Sequence, residues 1–384
     1  MTENSLAIFR IKEAGDKMKY IISGGGTGGH INPGLAIAKE ILKNEPDSQI
    51  LFVGTKNGLE GKLVPREGFE IQFIDVKGFK RKLSLDTLKT ITKLFKSFGS
   101  TNKIFKEFKP DAVIGTGGYV CGPVVFTAAM KNIPTVIHEQ NAFPGVTNKI
   151  LSKYVDQVAI SFEEARSRFK GKATITLTGN PIREELFSIN RETAREKLGL
   201  SKETPLVVIF GGSLGADHIN ECVKGMINNH GKDISYHLIL ATGMKHYEKF
   251  MQEINGIVPE NIEVVPYIYN MGEVLAASDL AVTRGGAITI SELSALGIPS
   301  ILVPSPYVAE NHQEYNARAL EYRGAAVVIL QDQLNSDILY GQVQKLINDK
   351  ELRIKMSSAA KKNGKSNAAS SIYSLLKKAM ILKK

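Results

Sequence analysis

Tyr20-Ile21-Ile22-Ser23-Gly24-Gly25-Gly26-Thr27-Gly28-Gly29-His30 runs from a short apolar segment into a glycine cluster, and a helical pattern follows. The same order recurs at Gly115-Thr116-Gly117-Gly118-Tyr119 and at Gly211-Gly212-Ser213-Leu214-Gly215. Glycine in such a place lets the backbone turn sharply and come close to a ligand. The helix that follows offers unpaired N–H groups at the positive end of its dipole, a ready anion site. One loop of this kind has little diagnostic value. Two in the first half of the chain and one in the second predict two nucleotide-type domains facing one cleft.

Working outward, strand-like runs alternate with helical patterns along nearly the whole chain. They fall at 20–23, 50–53, 71–74, 112–114, 135–137 and 157–160, then at 206–210, 236–240, 262–265, 280–282, 300–303 and 326–329. This rhythm predicts an α/β protein with parallel, doubly wound sheets. Twelve such runs divide more naturally into two sheets of about six than into one open sheet. The expected break is the turn-rich Thr178-Gly179-Asn180-Pro181-Ile182-Arg183. Ligands in such sheets bind beyond the carboxyl ends of the strands, where all three glycine loops lie.

Length and composition agree. The chain has 384 residues, 43% hydrophobic and 23% charged, enough for two or three domains with cores of their own. The two cysteines, Cys121 and Cys222, are far apart and match no metal-ligand spacing, which points to a reducing compartment. Residues 1–17 are interrupted by Glu3, Lys12, Glu13 and Asp16. They do not read as a signal peptide and are expected to be an extension outside the fold. Residues 112–130 carry no charge, but the glycines and Pro123 within them favour strand, loop and helix over a membrane span.

Charge is uneven. Of a net +10, residues 77–109 hold ten Lys/Arg against Asp86 and Glu107. Leu85, Leu88, Ile91, Leu94, Phe95 and Phe98 are interleaved at helical spacing. Such a helix suits an anionic membrane surface and is equally compatible with a surface helix packed on its own sheet. Nucleic acid is not expected, since stacking aromatics and a recognised binding motif are missing.

Several chemistries are disfavoured. Gly364-Lys365-Ser366 resembles the tail of a P-loop, but Ala359 stands where its first glycine belongs. Gly24, Gly26 and Gly29 match the dinucleotide spacing, yet the second strand ends Val53-Gly54-Thr55 with no acid for a ribose. A nicotinamide dehydrogenase is thus the weaker alternative. No Asp-x-Asp pair occurs, so no metal and no cofactor are expected. The densest motif is Arg284-Gly285-Gly286-Ala287-Ile288-Thr289-Ile290-Ser291-Glu292. Its glycines make a turn, the N–H groups of Ala287, Ile288 and Thr289 open a helix toward phosphate oxygens, and Glu292 is suited to ribose hydroxyls or to plain capping.

These blocks, together with His138-Glu139-Gln140-Asn141 and Gln313-Glu314-Tyr315-Asn316-Ala317 in the same order, closely resemble the MurG family of N-acetylglucosaminyltransferases, from about Met18 to the C-terminus. The family converts lipid I to lipid II in peptidoglycan synthesis. The resemblance implies a GT-B fold, two Rossmann-like domains around a deep cleft: residues 18–180 for acceptor and membrane, 181–365 for UDP-GlcNAc, and 366–384 as a helix returning to the first domain. Thr27, Gly28, Gly29, Asn141, Arg183, Ser213, Ile268, Gln313 and the run Ala287, Ile288, Thr289, Ile290, Ser291 and Glu292 are implied at UDP-GlcNAc. Gly117, Gly118 and Tyr119 are implied at the acceptor pyrophosphate. An inverting displacement needs a base for the acceptor 4-hydroxyl, with His30 the first candidate and Glu139 the second. His138 is expected to be structural, and His218 and His312 to lie near the nucleotide. The implied partners are UDP-GlcNAc, lipid I, an anionic membrane surface met through Lys80, Arg81, Lys82, Leu88, Lys89, Lys93 and Phe95, and other cell-wall synthesis and division proteins. The implied location is peripheral, on the cytoplasmic face of the cell membrane. A GT-B enzyme with another lipid acceptor, such as diacylglycerol, is the alternative.

Overall fold

The computed structural model describes residues 17–76, 85–212, 215–254 and 258–383, with the helical path alone for 85–91. Two parallel sheets organise it. The first contains β1 (Lys19–Gly24), β2 (Gln49–Gly54), β3 (Glu70–Phe73), β4 (Ala112–Gly117), β5 (Thr135–Glu139), β6 (Gln157–Ile160) and β7 (Thr174–Leu177), in the order β3-β2-β1-β4-β5-β6-β7. The second contains β8 (Leu206–Phe210), β9 (His237–Ala241), β10 (Ile262–Val265), β11 (Leu280–Thr283), β12 (Ser300–Leu302) and β13 (Ala326–Val328), in the order β10-β9-β8-β11-β12-β13. Both are doubly wound, as the alternating pattern predicts. Each reverses its strand order once, between β1 and β4 and between β8 and β11, the place where such sheets open a crevice.

The central strands form because they are apolar on both faces, as a sheet covered by helices on each side requires. In β1, Tyr20 and Ile22 face the helix Gly28–Asn44, while Ile21 faces the core shared with the helix Cys121–Met130. Ile21 and Ile22 are both fully buried, worth roughly 2 kcal/mol each. β7 is the strand that the sequence pattern does not reveal. Thr-Ile-Thr-Leu is short, exposed at both ends and on the sheet edge, so it carries no apolar run.

The last helix, Ala368–Leu382, packs Ile372, Leu376 and Met380 into the core of the first sheet. Glu45 fastens it there, accepting from Tyr373 Oη at 2.8 Å and Lys377 Nζ at 2.6 Å, and from Tyr20 Oη at 2.6 Å. The first described strand and the last described helix therefore share one core.

Candidate active site

The first wall of the cleft is built where β1 and β4 end side by side. Gly25 N–H donates to the Gly117 carbonyl at 3.3 Å, and Thr116 Oγ1 donates to the His30 carbonyl at 2.7 Å. His30 is the third residue of the helix Gly28–Asn44. Its Nδ1 lies 2.9 Å from the Gly25 carbonyl oxygen and 3.3 Å from Thr27 Oγ1. A carbonyl can only accept, so Nδ1 carries the proton and the Nε2 lone pair of the neutral ring is left as a base. Gly117 and Gly118 have φ of +108° and +82°, and both are needed as glycine. A Cβ on Gly117 would lie 2.6 Å from His30 Cδ2, and one on Gly118 would lie 2.5 Å from the Gly25 carbonyl oxygen.

Glu139, at the end of β5, is placed otherwise than expected for a base. It is 1% exposed. Oε1 accepts from Asn141 N–H at 3.0 Å and Asn141 Nδ2 at 3.1 Å; Oε2 accepts from Gly145 N–H at 3.1 Å and Asn148 Nδ2 at 2.8 Å. With four donors on its two oxygens it organises the 139–148 loop. His138 is buried between Gln140 Nε2 on Nδ1 at 3.1 Å and the Gly179 carbonyl on Nε2 at 3.1 Å. Burial pushes its pKa down to about 4, so it stays neutral and structural.

The second wall follows β11. The helix Ala287–Leu296 begins after Gly286, and its first internal bond is Ile290 N–H to the Gly286 carbonyl at 2.9 Å. The N–H groups of Ala287, Ile288 and Thr289 precede that bond and are open to an anion. Gly285 cannot be another residue without moving the chain, since a Cβ would lie 2.3 Å from the Gln313 carbonyl oxygen. Glu292 Oε1 accepts from Arg183 Nε at 3.1 Å and forms an ion pair with Nη2 at 3.1 Å. Burial pushes the Glu292 carboxyl above its ordinary range, against the pull of Arg183. These two groups, expected on different parts of a nucleotide, here hold each other.

A cleft of about 1480 Å³ joins the walls. Thr27, Gly28, Gly29, His30, Gly117, Gly118, Tyr119, Glu139 and Asn141 line it from the first domain. Arg183, Ile268, Ala287, Ile288, Thr289, Glu292 and Gln313 line it from the second. Ile290 and Ser291, expected at UDP-GlcNAc, are not among its lining residues. Ile290 is 1% exposed in the core beside Leu302 and Leu320. Ser291 Oγ donates to the Ala287 carbonyl and accepts from Asn180 Nδ2 at 2.9 Å. On a helix of 3.6 residues per turn, 288, 289 and 292 share a face that 290 and 291 leave. His312 reaches the cleft; His218 instead bonds the Leu334 carbonyl at 3.1 Å, outside it. Ser213, Lys80, Arg81 and Lys82 lie outside the described residues, as do the side chains of Leu88 and Lys89. Lys93 of the basic helix has its ammonium 2.8 Å from both oxygens of Asp75, so its charge is locally balanced, whereas Phe95 is 71% exposed. Among the described residues no group of three His, Cys, Asp or Glu could hold a metal ion.

Comparison with known proteins matches two models to this architecture. The glycosyltransferase family 28 N-terminal domain covers residues 20–160, and the family 28 C-terminal domain covers 206–372. The chain belongs to glycosyltransferase family 28. Its fold is GT-B. A relative from Acetivibrio thermocellus, a UDP-N-acetylglucosamine–N-acetylmuramyl-(pentapeptide) pyrophosphoryl-undecaprenol N-acetylglucosamine transferase, is 58% identical over 94% of this chain and 98% of that protein. One of the same name from Clostridioides difficile is 48% identical over 93% of this chain and 88% of its own length. The crystal structure of Acinetobacter baumannii MurG superposes with a TM-score of 0.77 at 29% identity, covering 94% of this chain and all of that one.

The two family 28 domains are tied by amides that the motifs contain without revealing their task. Asn316, fully buried, accepts from Ala142 N–H at 2.7 Å and donates to Asn141 Oδ1 and the Gly285 carbonyl, each at 3.1 Å. Asn180 donates to Ser291 Oγ and to the Gln140 carbonyl at 3.1 Å, and its Oδ1 accepts from Ser161 Oγ at 2.8 Å. Both lie inside recognised blocks, and the signal for them is an amide with no ligand chemistry assigned. Glu60, buried behind the first glycine loop, was not singled out by the sequence at all, because a lone acid near a helix start looks like any capping residue.

Proposed function

We propose that this chain transfers N-acetylglucosamine from UDP-GlcNAc to the 4-hydroxyl of the N-acetylmuramic acid of lipid I, with inversion, giving lipid II and UDP. The observation that carries the proposal is the 58% identical relative of that named activity, matched over 94% of this chain. The cleft supports it from both sides. The donor diphosphate would lie over the N–H groups of Ala287, Ile288 and Thr289, where the helix dipole favours an anion and stabilises charge on departing UDP. Glu292 would turn from Arg183 to the ribose hydroxyls, freeing the guanidinium for the diphosphate. Ile268 and Gln313 would meet the base and the sugar, with Thr27, Gly28, Gly29 and Asn141 closing from the other wall. Gly117, Gly118 and Tyr119 would meet the acceptor pyrophosphate. His30 Nε2 would take the proton of the 4-hydroxyl as its oxygen attacks the anomeric carbon.

An acceptor anchored in a bilayer brings the enzyme to the membrane surface. Among the described residues no helix is long and apolar enough to cross a membrane. The surplus of positive charge at 77–109 and the exposed Phe95 support peripheral docking on an anionic, cytoplasmic face. The test is UDP release from UDP-GlcNAc in detergent, with a short-chain lipid I analogue, with diacylglycerol and with no acceptor. Release only with the analogue, and little from UDP-glucose, is expected. Release with diacylglycerol alone would overturn the acceptor.

A further inference from the structure

Glu60 opens the short helix Glu60–Arg66 behind the first glycine loop and is fully buried. Both oxygens are engaged. Oε1 accepts from Thr55 N–H at 2.9 Å and Thr55 Oγ1 at 2.6 Å, and Oε2 accepts from Gly26 N–H at 3.0 Å. Three glycines make room for it, since a Cβ on Gly25, Gly54 or Gly58 would lie 2.6, 2.5 or 2.2 Å from its atoms. Burial opposes ionisation, but the bonds from Thr55 and Gly26 outweigh it and hold the carboxyl below its ordinary range. Glu60 is therefore a buried anion that forms no ion pair among the described residues. Such a charge is unfavourable unless other groups respond to it.

The responding group is one peptide unit away. Gly26 N–H and the Gly25 carbonyl belong to the same peptide. Its N–H end donates to Glu60 at 3.0 Å, and its carbonyl end lies 2.9 Å from His30 Nδ1. We infer, resting on the reaction proposed above, that Glu60 is a positioning residue that favours the protonated form of His30 through the Gly25–Gly26 peptide. An anion on the N–H end polarises the amide and makes its carbonyl oxygen a stronger acceptor. That interaction strengthens when the ring becomes positive. In the proposed step the acceptor oxygen bonds to the anomeric carbon, the bond from that carbon to the diphosphate breaks with its electrons leaving on UDP, and the hydroxyl proton passes to Nε2. At that moment the carboxylate, the peptide and the imidazolium form one polarised line, with Thr55 fixing its far end.

His138 and His312 face His30 from other elements, Glu139 faces His312 in turn, and Cys121 faces Glu60. Burial keeps His138 neutral above about 4, pushes His312 below its ordinary value, and pushes the Cys121 thiol up to about 12.

The experiment is a pH profile of kcat for Glu60→Gln, His30→Ala and the double variant, with UDP affinity measured on each. Glu60→Gln is expected to lower kcat about 10- to 100-fold with UDP affinity and the KM for UDP-GlcNAc within about twofold of the parent. Its acid limb should move to lower pH, because a destabilised imidazolium means a weaker base. Glu60→Asp, which keeps the charge, should recover part of the rate. The double variant should be no slower than His30→Ala alone. An unmoved acid limb, or losses that add fully in the double variant, would overturn the inference and leave Glu60 a structural residue. Undiminished turnover in His30→Ala would instead overturn the base assignment itself. If Glu60→Gln loses UDP binding and so its fold, the parent protein decides: the Gly26 amide proton resonance should titrate in step with His30, and an amide that does not respond overturns the inference.

Discussion

At the switch point between β1 and β4, the glycine loop is fastened on every side by partners that stay with the protein. Thr116, Glu60 and the Gly117 carbonyl hold its backbone, and the backbone holds His30. At the equivalent switch point between β8 and β11, the groups that face the cleft hold mainly each other. Arg183 is paired with Glu292, and the N–H groups of Ala287, Ile288 and Thr289 precede the first internal bond of their helix. One fold thus makes two kinds of site from the same parts. Under the proposed reaction, a proton acceptor needs fixed geometry, which suits the preorganised first wall. A donor that is bound and then released as UDP would suit the second wall, whose charges could exchange partners.

The largest break in this contrast is His30→Ala. Turnover should fall by about 10²- to 10⁴-fold, while UDP affinity, carried by the other wall, stays within about twofold. Calorimetric UDP binding and acceptor-dependent UDP release on one preparation check it.

Glu292→Gln tests the opposite wall and should cost less. Loss of a charge-assisted hydrogen bond predicts about a 10- to 100-fold rise in the KM for UDP-GlcNAc, with kcat at saturating donor nearly kept. The same variant has a stability signature. Its carboxyl is raised in the fold, so its contribution to stability is present below the ordinary carboxylate pKa and lost as pH rises through the folded value. Glu292→Gln should therefore be no less stable than the parent at neutral pH, and relatively more stable than at acid pH; melting curves across pH check this.

Asn316→Ala breaks the tie between the walls. It leaves the Ala142 N–H and the Gly285 carbonyl without their partner and should lower stability by about 2–4 kcal/mol, seen as an earlier denaturant midpoint. The smallest effect belongs to Lys93→Ala, whose exposed pair with Asp75 should contribute less than about 1 kcal/mol to stability.

Much of this contrast was legible in the chain. Apolar runs between glycine clusters specified the parallel sheets, and the order of motifs specified the two walls. What escaped has physical reasons. β7 lacked an apolar run because an edge strand need not be buried on both faces. That Ile290 and Ser291 stand off the cleft lining was not legible, because a motif fixes spacing along a helix but not which face meets the cleft. The four donors on Glu139, backbone and amide, were not legible because they are gathered by a loop whose path no periodicity encodes. Glu60 acts through a peptide bond, a contact with no residue-type signature. Arg183 and Glu292 both line the cleft, yet their mutual pairing depends on the way the chain crosses between domains.

The division of labour is tested most directly by the single-turnover rate at saturating UDP-GlcNAc and lipid I analogue, compared for His30→Ala and Glu292→Gln. The account predicts that saturation restores Glu292→Gln to within a few-fold of the parent and leaves His30→Ala slow by at least about 100-fold. A His30→Ala enzyme rescued by saturation, or a Glu292→Gln enzyme that stays slow, would contradict it.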